Sequence, residues 1–209
     1  MKYLDALIIG AGFSGLYQLH CLRDKLKLNT LVVEEGKDIG GTWYWNTYPG
    51  ARCDSESFTY GFTFSEKIFK NWTWKERYPK QNVILKYLKY FSNELKLNKN
   101  IVFNEKVISA KYIEKNNLWK VQTNNKKKYY TKYLICAVGS LSSINLPKIK
   151  GINQFKGQLH HSGRWPRKKI NFKNKIVGQV GTGSTGIQIA PEIAQKAKKL
   201  ILFQRSPNF

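Results

Sequence analysis

The chain has 209 residues, enough for one large domain or for one domain and part of a second. Apolar residues make up 42% of it, so a buried core is available, yet no run approaches the roughly 18 apolar residues of a membrane-spanning helix. The formal charge of +23 admits two readings: a basic face that releases counter-ions from nucleic acid or an anionic membrane, or lysines spread over solvated surface.

The lysines sit in a turn (Asn124–Lys128), on helix faces (Lys86, Lys89) and around Arg167–Lys175, without gathering into one stripe. That distribution favours solvated faces, so neither a nucleic-acid nor a membrane partner is expected. Cys21, Cys53 and Cys136 are odd in number and lack CxxC spacing, which reads as reduced thiols without a zinc site. The N-terminus runs straight into a strand with no signal-like segment, and a cytoplasmic location is expected.

Tyr3–Gly10 is a short apolar run ending in glycine and predicts a buried strand. Gly12–Leu26, with Leu16, Leu19 and Leu22 at three-residue spacings, predicts a helix, and Thr30–Glu34 a second buried strand. The turn between the first strand and the helix is Gly10-Ala-Gly-Phe-Ser-Gly15, the βαβ setting of a dinucleotide fingerprint. Gly10, Gly12 and Gly15 let the backbone approach a pyrophosphate, and the helix start at Phe13 and Ser14 offers N–H groups and a favourable dipole. Glu34 stands where ribose hydroxyls are bound, and an acid there favours FAD or NAD over NADP.

Gly40–Asp54 is too polar and glycine-rich for a helix and too interrupted for a strand. Its dense aromatics predict a functional loop. Phe62–Tyr78 alternates aromatic and charged residues and predicts an irregular lid or packing segment; taken alone it also fits a stacking platform for single-stranded nucleic acid. Gln81–Leu95 predicts an amphipathic helix with Ile84, Tyr87, Leu88 and Phe91 on one face. After a strand at Ile101–Phe103, the segments Ile108–Ile113, Leu118–Thr123 and Tyr129–Tyr133 predict an antiparallel meander. Its last strand continues through Leu134–Gly139 back to the parallel sheet.

The second glycine-rich turn, Gly181-Thr-Gly-Ser-Thr-Gly186, follows a strand at Lys175–Gly181 and opens a helix at Gly186–Lys196. The next strand, Leu200–Phe203, ends in Gln204-Arg205-Ser206 rather than an acid, and Arg205 can pair with a 2′-phosphate, so this site should prefer NADP(H). His160 and His161 have no Cys, Asp or Glu at ligand spacing, and no metal is expected. The fold class is α/β: a Rossmann-like FAD/NAD(P)-binding fold, a parallel sheet with an antiparallel β-meander, then the start of a second Rossmann-like unit. The expected divisions are an FAD-binding domain at 1–145, a linker at 146–174 and an NADP-binding segment at 175–209.

Between the two turns, Phe155, Gly157, His161, Trp165 and Pro166 resemble the fingerprint of type I Baeyer–Villiger monooxygenases, which are flavoproteins. Gly41, Trp43, Tyr48, Pro49, Gly50 and Asp54 resemble the same family's second signature, and the likeness runs over nearly all of the chain. The resemblance implies FAD contacts at Thr42, Trp43, Asp54 and Tyr60, with the Val107 backbone at the adenine. It implies NADP(H) contacts at Thr182, Gly183, Ser184, Thr185 and Gln188, Arg205 and Ser206 at the phosphate end, and Arg52, Cys53 and Asp54 near the nicotinamide.

By the same likeness His161 couples domain movement to catalysis. Trp165, with Pro166, tilts the reading to ketone oxidation and away from flavin N- and S-oxygenases. Asp54 would hold a catalytic arginine for which this chain has no counterpart. Family members continue well beyond the last residue here, so the expectation is an N-terminal fragment that binds cofactors with little turnover. The implied activity uses NADPH, FAD and O₂ to convert a ketone to an ester or lactone. Two alternatives stay open: another two-nucleotide flavoprotein, such as an N- or S-oxygenase or a disulfide-type reductase, and a basic nucleic-acid-binding module on a dead flavin fold.

Overall fold

The apolar run at the N-terminus forms β1 (Lys2–Ile9), which is buried on both faces from Ala6 to Ile8. In the computed structural model, which describes residues 2–207, β1 is flanked on one side by β2 (Thr30–Val33) and β3 (Ile101–Val102), all parallel. The remaining strands are β4 (Val107–Ile113), β5 (Leu118–Thr123) and β6 (Lys128–Cys136), which pair antiparallel as β4-β5-β6. Along its length β6 also pairs parallel with β1, from Lys2↔Tyr129 to Ile9↔Cys136. Meander and parallel strands thus form one six-stranded sheet of order β3-β2-β1-β6-β5-β4.

Helix α1 (Phe13–His20) follows β1 and is prolonged by a π-helical turn, Cys21–Lys25. Arg23 in that turn bonds the carbonyls of Leu95 and Lys96 and the Asn100 side chain, anchoring the helix end. The helix expected over 12–26 is therefore α-helical only to His20. Leu16 and Leu19 are fully buried, as are Leu7 and Ile8 on opposite faces of β1. Each such side chain contributes on the order of 1.5–3 kcal/mol by leaving water. A second cluster joins Leu4, Leu7, Leu31, Val33, Val121 and Tyr129 beneath the meander.

Glu105 is among the buried polar groups and accepts hydrogen bonds from Thr123 (2.8 Å), Tyr129 (3.0 Å) and the Lys127 ammonium (2.7 Å). Burial opposes its ionisation, but these bonds outweigh burial and hold its carboxyl below the ordinary range. Burial and the bond to Glu105 push the Tyr129 phenol up.

Two segments differ from expectation. The 40–54 stretch contains a helical turn, α2 (Thr42–Trp45), started by Gly40 and Gly41, whose carbonyls accept from Trp43 and Tyr44 and whose φ values of +133° and +52° favour glycine. Within the segment predicted to be irregular lies α3 (Glu66–Lys70); Ser65 caps it by accepting from the Ile68 N–H, and Ile68 is buried. The predicted amphipathic helix is α4 (Gln81–Glu94), and Ile84, Tyr87, Leu88 and Phe91 are its buried face.

A second sheet pairs β7 (Ile176–Val180) in parallel with β8 (Lys199–Phe203), with α5 (Ser184–Ala194) between them in sequence. Packing divides the chain into two units: residues to Tyr44 with Leu85–Ser142, and Trp45–Ile84 with residues from Ser143 onward. The stretch 45–84, placed from sequence in a continuous domain ending at 145, groups with the C-terminal residues, and its Tyr48, Arg52 and Asp54 hydrogen-bond to Gln188 of α5. Among the described residues no helix is long and apolar enough to cross a membrane, and the three cysteines are free thiols.

Candidate nucleotide-binding sites

The first turn is built for close approach of backbone. Gly10 has φ +101°, and a Cβ on Gly15 would lie 1.9 Å from the Gly10 carbonyl oxygen, so only glycine lets α1 sit this near β1. Gly12 caps α1 in an extended conformation and supplies no side chain to its first turn, while Ser14 is exposed there and Phe13 packs near Tyr87 with ring centroids 6.2 Å apart. Opposite the turn, a Cβ on Gly41 would fall 2.9 Å from the Gly12 Cα, and Gly40 donates to the Ala11 carbonyl.

Glu34 is buried beside this turn. One of its oxygens accepts from Ala11 N–H and the other from Gly36 N–H, both at 2.7 Å. Each oxygen retains a second lone pair for a hydroxyl donor. The chain returns past it, because Glu105 N–H donates to the Glu34 carbonyl; this brings Val107, at the start of β4, within two residues of that contact. Thr42 is exposed, whereas Trp43 is buried, with only 7% of its surface accessible. The structure thus brings Gly10, Gly12, Phe13, Ser14, Gly15, Glu34, Thr42, Trp43 and Val107 into one unit.

The second turn repeats the geometry. Gly181 has φ +97°, Gly183 caps α5 in the same extended conformation as Gly12, and a Cβ on Gly186 would meet the Gly181 carbonyl oxygen at 2.5 Å. A Cβ on Gly183 would meet nothing within 4 Å, so the space in front of the turn is open. Thr182, Ser184 and Thr185 surround the helix start. Gly181 N–H donates to the Phe203 carbonyl, which sets Arg205 and Ser206 just beyond the strand end beside the turn; both are exposed.

Gln179 is a residue that sequence reasoning missed. Its amide donates to the carbonyls of Gly181 (3.1 Å) and Gly186 (2.9 Å), bracing the turn from below. A glutamine inside an otherwise apolar strand was the available signal. The corresponding position two residues before Gly10 is Ile8, which is fully buried.

Arg52, Cys53 and Asp54 lie on a loop of the same unit as α5 and are held to it by Gln188. Gln188 Oε1 accepts from the Tyr48 hydroxyl (3.0 Å) and Arg52 N–H (3.2 Å); Nε2 donates to the Arg52 carbonyl (3.2 Å) and Asp54 Oδ1 (2.6 Å). Gly50, with φ +78°, presses on the Gln188 carbonyl so closely that a Cβ would fall 2.2 Å from it. Burial raises the Tyr48 pKa and the Asp54 charge adds to this, against a hydrogen bond with Thr185 that lowers it. Cys53 is buried, its Sγ accepting from Ser55 N–H, so it presents backbone rather than thiol.

Tyr60, at the end of the 3₁₀ turn Ser57–Thr59, and Asp54 belong to this second unit rather than to the one holding the first turn. His161 caps the 3₁₀ turn Ser162–Arg164 by accepting Gly163 N–H at Nδ1. Trp165 stacks obliquely between His160 and Phe172, with centroids 5.8 and 6.4 Å apart. No group of His, Cys, Asp and Glu suited to a metal occurs among the described residues.

Residues 5–209 match the model of the flavin-binding monooxygenase-like family. The chain is 44% identical over 205 residues to a Baeyer–Villiger monooxygenase of Pseudooceanicola batsensis, covering 98% of this chain and 37% of that protein. It is 40% identical over 207 residues to a phenazine N-monooxygenase of Lysobacter antibioticus, covering 99% of this chain and 38% of the relative. Among solved structures, cyclohexanone monooxygenase from Rhodococcus sp. Phi1 bound to NADP⁺ superposes with a TM-score of 0.95 at 40% identity, over 100% of this chain and 39% of that one. The chain therefore spans less than two fifths of the length of these relatives.

Proposed function

Because the chain belongs to the flavin-binding monooxygenase-like family, we propose that it binds FAD at its first glycine turn and NADP(H) at its second. The whole protein is then a Baeyer–Villiger monooxygenase that uses O₂ to convert a ketone to an ester or lactone. One observation carries this reading: the same glycine cradle occurs twice, with a buried carboxylate beside the first and an exposed arginine beside the second. An acid accepts from an unphosphorylated ribose, whereas a guanidinium pairs with a 2′-phosphate.

The residues present fit these groups. Gly12 and Gly183 leave helix starts without side-chain caps, and a Cβ on Gly183 would meet no neighbour, so their N–H groups suit a diphosphate. Glu34 would hold the FAD ribose, with Val107 at the adenine and Thr42 and Trp43 toward the flavin. Thr182, Ser184, Thr185, Arg205 and Ser206 would hold NADP(H), with Arg52 and Cys53 toward its nicotinamide. When bound, the two cofactors supply hydride and oxygen activation. The chain's own residues orient them and hold charge at fixed atoms. His161 and Trp165, locked in the linker by a cap and by ring contacts, would relay movement between binding and reaction. The three free thiols fit a cytoplasmic location.

A second reading, oxidation at nitrogen, is favoured by the likeness to the phenazine N-monooxygenase. Adding FAD to the purified chain and desalting tests the first site: a retained visible flavin spectrum supports it, and a colourless folded protein refutes it. Calorimetry with NADP⁺ tests the second site in the same way. Product analysis of the whole protein with NADPH and O₂ then separates the chemistries, since cyclohexanone giving a lactone supports ketone oxidation and phenazine giving an N-oxide supports the alternative.

A further inference from the structure

Gln188 was expected to touch the dinucleotide, and its hydrogen bonds argue for a different task. A side-chain amide has two N–H donors and two acceptor lone pairs. In Gln188 all four are engaged within the protein, by Tyr48, by the Arg52 N–H and carbonyl, and by Asp54. The amide orientation is fixed as well: a flip would set its NH₂ against the Arg52 N–H and its oxygen against the Asp54 carboxylate. Nothing is left on the amide for a ligand.

We propose that Gln188 is a positioning residue that sets the Arg52 backbone and the Asp54 carboxylate, and that it does not itself bind the dinucleotide. The proposal rests on the reading of the second turn as the NADP(H) site. Gln188 lies one helical turn beyond Ser184, on the helix whose start forms that turn. Its backbone carbonyl is also in contact with Gly50, so the 48–54 loop is held by both the side chain and the main chain of one residue. Any shift of α5 on occupation of the turn is passed directly to Asp54, an exposed carboxylate at the nicotinamide end of the site.

The test compares NADP⁺ with 2′,5′-ADP, which has the phosphate end and no nicotinamide, on the whole 209-residue chain and its Gln188→Met and Gln188→Glu variants. Methionine keeps the length without hydrogen bonds, and glutamate sets a second carboxylate against Asp54. NADP⁺ should bind about tenfold more weakly to Gln188→Met, and more weakly still to Gln188→Glu, while 2′,5′-ADP changes by less than about twofold. In an Asp54→Ala background the Gln188→Met change should have little further effect, because the two act as one unit.

Equal loss for both ligands would mean a merely structural role or direct phosphate contact, and would overturn the proposal; so would additive effects with Asp54→Ala. Amide exchange provides the readout independent of binding. Arg52 N–H should exchange faster in Gln188→Met while the β7 amides keep their protection; unchanged exchange at Arg52 also overturns it. A wild-type chain that binds neither ligand refutes the dinucleotide site itself, and exchange at Arg52 then still decides whether Gln188 holds this loop.

Discussion

Gly15→Ala isolates the closest approach in the first cradle. Two effects oppose each other. Alanine is favoured over glycine inside a helix by about 1 kcal/mol, and Gly15 lies in α1. Against this, the new methyl would sit 1.9 Å from the Gly10 carbonyl oxygen, more than an ångström inside normal contact, and 3.0 Å from its carbon. The atoms met are backbone of the turn itself, so no rotamer change relieves them and α1 must move off β1. Overpacking of this kind costs about 1–3 kcal/mol, at times more. The upper end applies here, which leaves a net loss of about 1–2 kcal/mol after the helix gain. With a urea slope of about 2 kcal/mol/M, the unfolding midpoint of the first unit should fall by about 0.5–1 M. Urea titration followed by amide exchange in β1 reads this unit separately. An unchanged or higher midpoint at equal slope would refute the close-approach reasoning.

Arg205→Ala should weaken NADP⁺ by about tenfold to a hundredfold and leave NAD⁺ unchanged, since a charge-assisted bond to phosphate is lost. Calorimetry with both nucleotides checks this, and equal losses would count against Arg205 as the phosphate ligand. Glu105 makes stability depend on pH. Its folded pKa is depressed, so its contribution is full above the unfolded value of about 4.3 and is lost as pH falls through the lower folded value. Glu105→Gln should cost about 1–3 kcal/mol near neutrality, with the gap to wild type closing in acid, as measured by urea midpoints across pH. Tyr129 acts at the other limb: its pKa is raised, so its contribution is present below about pH 10 and is lost as pH rises through the folded value.

Both glycine turns, the acid after the second strand and the buried face of α4 were legible in the sequence. Each is specified locally: a positive φ at Gly10 or Gly181, a helix start, or a 3.6-residue period shows itself within a few positions. Two short helices were missed for a local reason too. At Thr42–Trp45 a glycine pair supplied the turn, and at Glu66–Lys70 a serine cap started a short helix inside a run read as irregular from its alternating aromatics and charges. What only the tertiary structure decided are arrangements joining distant residues. Gln188 meets Asp54 across 134 positions and Tyr48 across 140, within the unit that joins 45–84 to the C-terminal residues. Glu105 is likewise a lone acid in a loop until Thr123, Lys127 and Tyr129 close around it. A sequence motif records which backbone shape a residue permits. The partner that saturates a side chain is fixed only when the sheet and helices bring it within hydrogen-bond reach.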